Sequence, residues 1–138
     1  MYNLKRFLDA QSTTYAQALQ EIQQGRKQSH WMWYIFPQIA GLGRSETAKH
    51  YAIKDLQEAH AYISHHVLGA RIIEIAEAFL IINNKTANQV FGSPDDLKLR
   101  SCMSLFASLE NPNVVFQKVL DKYYDGEKDN DTVALLSL

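Results

Sequence analysis

The sequence SPDDLKLRSCMSLFASLE, residues 93–110, carries the clearest helix start in this chain of 138 residues. Ser93 is a preferred N-cap residue, and Pro94 suits the first helical position because it lacks an N–H group. Asp95 and Asp96 follow in the first turn, where acidic side chains complement the helix dipole. The pattern therefore predicts a helix that begins at Pro94 and has Ser93 as its cap.

The apolar face of this predicted helix is formed by Leu99, Cys102, Leu105 and Phe106. Spacings of three and four residues are typical of a face turned towards a core, so we expect Cys102 to be a buried packing residue. Cys102 is the single cysteine of the sequence, which excludes an internal disulfide and suits a reducing compartment. We therefore expect a cytoplasmic protein.

Helical patterns continue on both sides of this segment. Residues 70–84 are apolar on most of their circumference, which predicts a helix in the middle of the core. Gly69 is expected to mark a break or a bend before that helix, and Thr86 with Gln89 forms the pattern of a capping box. Six glycines and three prolines leave few interruptions. The sequence therefore predicts an all-α, compact multihelical single domain that spans residues 1–138.

The net charge of −1 restricts the partners that we expect. A nearly neutral chain has no overall field that draws it to nucleic acid or to a membrane, so we expect neither partner. The longest apolar run is interrupted by Glu74 and Glu77 and is too short to cross a bilayer. The histidines lack zinc-site spacing, so no metal and no cofactor are expected. We favour a monomer and leave the oligomeric state open.

The sequence RKQSHWMWYIFPQIAGLGRS, residues 26–45, holds both tryptophans. The favoured interpretation is a core segment, because each large aromatic side chain buries about 150–250 Å². The alternative is the wall of a ligand site. Buried Trp N–H and Tyr O–H groups need hydrogen-bond partners, which His30, Gln38, the nearby basic residues or a ligand would supply.

A glycine turn formed by Gly41 and Gly43 leads to Ser45, which we expect to cap the next helix. The free N–H groups of a helix start, together with Arg44, could bind a phosphate or a carboxylate. The segment lacks the preceding strand of a dinucleotide site and the lysine of a P-loop. The favoured interpretation is therefore a plain turn between helices, and an anion site is the alternative.

We predict that the glycine turn and the helix start at Pro94 converge on one polar pocket with a tryptophan wall. The candidate ligand-binding residues are Arg26, Lys27, Trp31, Trp33, Gln38, Gly41, Gly43, Arg44, Ser45, Lys98 and Arg100. His30 and Asp95 are the candidates for acid–base catalysis. Each also has an ordinary structural explanation, as a hydrogen-bonded histidine and as a carboxylate that complements the helix dipole.

Such a pocket would bind, or act on, a small anionic metabolite such as a nucleotide or a sugar phosphate. The alternative is a protein–protein interaction module without catalytic activity, in which an exposed aromatic patch contacts a partner. Whether the protein is an enzyme stays open at this point.

The segments GRKQSHWMWYIFPQIAGLGRS (25–45) and FGSPDDLKLRSCMSLFA (91–107) resemble a bacterial family of unknown function. Its members are sometimes labelled calpastatin, a label that nothing in this chain supports. The resemblance runs from about residue 4 to residue 126. The matching positions are Lys27, His30, Trp31, Trp33, Phe36, Pro37, Gln38, Gly41, Gly43, Phe91, Gly92, Ser93, Asp95 and Lys98. The resemblance implies a compact all-α fold, in which HWMWYIF is helical or irregular, and it implies no activity.

Overall fold

The regular elements of this protein are helices throughout residues 2–137, the range that the computed structural model describes. In chain order they are α1 (Lys5–Ser12), α2 (Tyr15–Gln23), α3 (Met32–Ile35), α4 (Glu46–Tyr51), α5 (Leu56–Ser64), α6 (Leu68–Leu80), α7 (Ala87–Phe91), α8 (Asp95–Ala107), α9 (Val114–Tyr123) and α10 (Asn130–Leu136). Within that range, the β-type pairing consists of one parallel bridge between Ile39 and Ile53. The predicted all-α fold class is confirmed.

The centre of the core is α8, whose residues 101–106 are all buried. Two of them are serines, which tolerate burial because their hydroxyls donate to carbonyls of the same helix. Ser101 Oγ lies 3.2 Å from the carbonyl oxygen of Leu97, and Ser104 Oγ lies 2.7 Å from that of Arg100. Cys102 is fully buried, as expected, and burial raises the pKa of its thiol.

The helix predicted for the middle of the core, α6, borders it instead. It buries Ile72, Ile75 and Phe79 on one face, while Glu74 and Glu77 on the opposite face are exposed. The sequence placed α6 in the middle because it is apolar on most of its circumference, whereas the serines of α8 conceal the burial of residues 101–106.

The chain leaves one helix and enters the next a few residues before Gly69, the position at which the sequence predicts a break or a bend. Helix α5 ends at Ser64, α6 begins at Leu68, and Gly69 lies inside α6. A Cβ atom at Gly69 would lie 2.0 Å from the carbonyl oxygen of Ile63. Glycine is therefore present because it lets the end of α5 approach α6 closely, and not because it ends a helix.

The two predicted caps around α7 and α8 have different outcomes. The capping box at α7 is confirmed, because Thr86 Oγ1 accepts the N–H of Gln89 at 3.1 Å and Gln89 Oε1 accepts that of Thr86 at 2.8 Å. The predicted cap of α8 is wrong. Pro94 occupies the N-cap position, and Ser93 Oγ accepts a hydrogen bond from Asn88 Nδ2 at 2.9 Å.

Candidate functional site

The segment between α2 and α3 is folded around the carboxylate of Glu21, in the last turn of α2. Glu21 Oε1 accepts the backbone N–H of Gln28 at 2.7 Å, that of Ser29 at 3.0 Å and the indole N–H of Trp31 at 2.9 Å. Glu21 Oε2 accepts the Ser29 hydroxyl at 2.7 Å and the Gln17 amide at 3.1 Å. One buried side chain thus fixes the path of residues 28–31.

The pKa of Glu21 is set by two opposing effects. Burial raises it, but the hydrogen bonds from Gln28, Ser29 and Trp31 outweigh burial and hold the pKa at about 2. The carboxylate therefore stays charged at physiological pH. Glu21 was not identified from the sequence. An acidic side chain in the last turn of a helix interacts unfavourably with the helix dipole, so its presence there is a signal that the carboxylate has another partner.

Lys27 joins this segment to the start of α8. Its Nζ atom donates to the carbonyl oxygen of Ser29 at 2.5 Å and lies 2.9 Å from Asp95 Oδ2. It also lies 5.0 Å from the centroid of the Trp31 ring, within the range of a cation–π contact. The Lys27 side chain is 8% exposed, so this ion pair is largely withdrawn from water. The structure thus brings two of the predicted segments together.

Lys98 extends the cluster to the second tryptophan. Its Nζ atom lies 3.7 Å from Asp95 Oδ1 and 5.6 Å from the centroid of the Trp33 ring. Trp33, Gln38 and Gly43 line a cavity of about 20 Å³. That volume is close to the minimum for a single water molecule, so this group of predicted residues encloses no space for a metabolite.

Trp31 belongs to the core. It is fully buried, its ring packs against Phe36 and Phe91, and its N–H group is satisfied by Glu21. Of the two interpretations of residues 26–45, the core segment therefore describes Trp31, because no face of its indole is open to a ligand.

The glycine turn lies around the start of α4. Ser45 Oγ accepts the N–H of Ala48 at 3.1 Å, so Ser45 is the predicted cap. Gly41 has a φ of 107°, a conformation that favours glycine, and Gly43 lies close to the side chain of Ala48. Arg44 is exposed beside them. These contacts are those of a turn between helices.

The two remaining candidates, His30 and Arg100, are not part of the ion pair between Lys27 and Asp95. His30 is exposed next to Trp31. Arg100 contacts the chain after α9, where its Nε donates to the carbonyl oxygen of Glu127 at 2.9 Å and its NH2 group to that of Lys128 at 3.2 Å. The Arg100 guanidinium thus connects α8 to the segment that precedes α10.

A larger concave surface lies on the other side of Lys27. We call it the basic cleft, and its lining residues are Arg26, Lys27, Asn84, Lys85, Asn88, Gln89, Val90, Phe91 and Gly92. Its volume is about 460 Å³. The N–H of Lys27 donates to the carbonyl oxygen of Val90 at 2.8 Å, and Lys85 Nζ donates to that of Gly25 at 2.9 Å, so both walls are tied together.

Sequence reasoning found Arg26 and Lys27 but missed the opposite wall of the cleft. Lys85, Asn88 and Gln89 are some sixty positions away, and the pattern around them was interpreted only as a helix start. Nothing in local spacing signals that these residues lie opposite Arg26.

Two classes of site are not found in the described part of the chain. No three or more His, Cys, Asp or Glu side chains are placed to share a metal ion within residues 2–137. Over the same range, none of the helices has the length and apolarity that crossing a membrane requires.

The comparisons with known proteins agree with this architecture. The family profile described as "Protein of unknown function (DUF1810)" matches residues 1–136. The chain belongs to the DUF1810 family. The resemblance inferred from the sequence is thereby confirmed.

A crystal structure of the conserved hypothetical protein Rv1873 from Mycobacterium tuberculosis is similar to this DUF1810 protein. The two are 45% identical and superpose with a TM-score of 0.96, over 98% of this chain and 96% of that one. No curated protein matches the sequence. The family membership therefore establishes the fold and leaves the function to be argued from the site.

Proposed function

We propose that this DUF1810 protein binds a small anionic metabolite in the basic cleft. The observation that carries this proposal is the charge of the cleft. Arg26, Lys27 and Lys85 line it, and none of its described lining residues is acidic. A concave surface of one sign focuses the field and attracts ligands of the opposite charge. The volume of about 460 Å³ falls in the range of small-molecule sites.

Two of the three cations of the cleft are held in place by the protein, and all three still have hydrogen-bond donors to offer. Lys27 uses two of the three N–H donors of an ammonium, on Ser29 and on Asp95. Lys85 uses one, on Gly25. The exposed guanidinium of Arg26 makes no side-chain hydrogen bond or ion pair with residues 2–137 and suits a planar, two-point contact to an anion.

Asp95 has a positioning role in this proposal. Both of its oxygens face ammonium groups, at 2.9 Å from Lys27 and at 3.7 Å from Lys98. Asp95 therefore fixes the Lys27 side chain at the edge of the cleft. The acid–base roles of His30 and Asp95 stay predictions, as does the cytoplasmic location inferred from the single cysteine.

The alternative function, a protein–protein interaction module, was tied to an exposed aromatic patch. Within residues 2–137 the exposed large hydrophobic side chains are all aliphatic. They are Leu56, Ile81, Leu97, Val114 and Val133. The surface therefore gives less support to that function than the basic cleft gives to anion binding.

The proposal is tested by calorimetric titration and thermal unfolding with inorganic phosphate, sulfate and citrate. A ligand that binds only the folded state raises the melting temperature. We expect Arg26→Ala to weaken binding about tenfold or more, and the remaining affinity to fall as salt screens the cleft. Lys49→Ala, on the exposed surface of α4, is the control and should bind normally.

Two results would overturn the proposal. The first is the absence of binding by any of these anions to the wild-type protein. The second is binding that Arg44→Ala abolishes and Arg26→Ala leaves intact, because the anion would then lie at the glycine turn.

A further inference from the structure

Three amide side chains share the basic cleft with its cations, and two of them have a fixed orientation. Gln89 Oε1 is occupied by the backbone N–H of Thr86 at 2.8 Å, so the NH₂ group of Gln89 is left for a ligand. Asn88 Nδ2 donates to Ser93 Oγ at 2.9 Å and to Asp96 at 3.3 Å. The amide oxygen of Asn88 therefore remains to accept a hydrogen bond from a ligand. Neighbouring positions of α7 therefore present one acceptor and one donor group.

This combination matches hydroxyl groups, because each hydroxyl both donates and accepts a hydrogen bond. The third amide belongs to Asn84, which has a φ of 65° and adds another donor and acceptor beside Lys85. The cleft thus combines cations, which suit a phosphate, with amides, which suit a row of hydroxyls.

The cleft offers no platform on which a nucleobase could stack. Phe91 is the one aromatic residue among its described lining residues, and it is 6% exposed. The Phe91 ring packs against the rings of Trp31, Phe36 and Phe79, with centroid distances of 6.5, 5.9 and 4.9 Å. A nucleobase bound in the cleft would therefore lack the stacking on an aromatic side chain that usually contributes to base recognition.

We infer that the ligand is a phosphorylated polyhydroxy compound, that is, a sugar phosphate or polyol phosphate and not a nucleotide recognised through its base. The phosphate lies at Arg26, Lys27 and Lys85, and the hydroxyls lie at the amides of Asn84, Asn88 and Gln89. This inference rests on the proposed function, since it names the ligand class of the same cleft.

The test compares inorganic phosphate, ribose 5-phosphate, glucitol 6-phosphate and AMP by calorimetric titration on the full chain. We expect the two polyol phosphates to bind at least tenfold more tightly than inorganic phosphate. We expect AMP to bind no more tightly than ribose 5-phosphate, because its base gains no stacking partner.

Asn84→Gly separates the amide contact from folding, because glycine readily adopts the positive φ of this position. The variant should lower the affinity for ribose 5-phosphate about threefold to tenfold, the effect of losing one or two hydrogen bonds, and leave inorganic phosphate unchanged. Asn111→Gly is the matched control. Asn111 also has a positive φ, of 52°, and does not line the basic cleft, so both affinities should stay at wild-type values.

The failures of the two proposals are distinguishable. If ribose 5-phosphate binds no more tightly than inorganic phosphate, or if AMP binds more tightly than both, the polyol inference is overturned and anion binding stands. If inorganic phosphate and all of the phosphate esters fail to bind, anion binding in the cleft is overturned as well.

Discussion

Replacing Glu21 by glutamine should destabilise the protein because one carboxylate organises the whole segment next to the basic cleft. The pKa of Glu21 is held at about 2, against an ordinary value of 4.5. A difference of this size corresponds to about 3 kcal/mol of stability when the group is charged. Glu21 is 6% exposed, but most of its hydrogen bonds are only partly buried, so solvent screening removes part of that energy. Glutamine keeps one oxygen for Gln28, Ser29 and Trp31 but loses the charge, and we expect a loss of about 2–3 kcal/mol at pH 7.

The pH dependence of this effect follows from the sign of the shift. A pKa that is lower in the folded state than in the unfolded state stabilises the protein when pH lies above the unfolded value. That contribution is lost as the pH falls from 4.5 to about 2, because the unfolded state then takes up a proton before the folded state does. The stability difference between wild type and Glu21→Gln should therefore shrink over this window.

The measurement is urea unfolding of both proteins at several pH values between 7 and 2.5. Glu77→Gln, on the exposed face of α6, is the control and should follow the wild type at every pH. If the wild type and Glu21→Gln lose stability in parallel from pH 5 downwards, the carboxylate does not have the depressed pKa on which this reasoning rests.

Three further substitutions test other features of the molecule. Gly69→Ala should lower the free energy of unfolding by about 3 kcal/mol, because its Cβ would lie 2.0 Å from a backbone oxygen; a loss below 1 kcal/mol in urea unfolding would contradict the close approach. Thr86→Ala should cost about 1 kcal/mol by removing the cap of α7, and Thr86→Ser should restore most of it in the same assay. Asp95→Asn should increase the affinity for inorganic phosphate severalfold, since the amide oxygen can still hold the Lys27 side chain while the negative charge that competes with the anion is removed; weaker binding by calorimetry would show that the charge of Asp95 does not compete.

The sequence predicted the helical features that depend on neighbouring residues. The capping box of Thr86 and Gln89, the cap at Ser45 and the burial of Cys102 each follow from spacings of three or four positions. Ser93 failed as a cap although its pattern is equally local. Its hydroxyl has a competing partner in Asn88, and a pattern along the chain gives no information about such competition.

The candidate site was predicted less completely because it depends on contacts between distant segments. The sequence identified that a buried indole needs a partner, and it offered His30, Gln38 or a ligand for Trp31. The partner is Glu21, ten positions earlier on α2. Once that carboxylate satisfies the indole, the reason to place a ligand against Trp31 disappears.

These contacts are the reason why we propose the anion site on the outer side of Lys27. Lys27 pairs directly with Asp95, and it donates to the carbonyl oxygen of Ser29, a residue that Glu21 holds in place. Most of its charge is therefore compensated within the protein. The attraction for an anion must come mainly from Arg26 and Lys85, whose charges no described carboxylate neutralises within ion-pair distance. In the proposed site, Lys27 orients the ligand and the two outer cations provide most of the affinity, so Arg26→Ala is the decisive substitution.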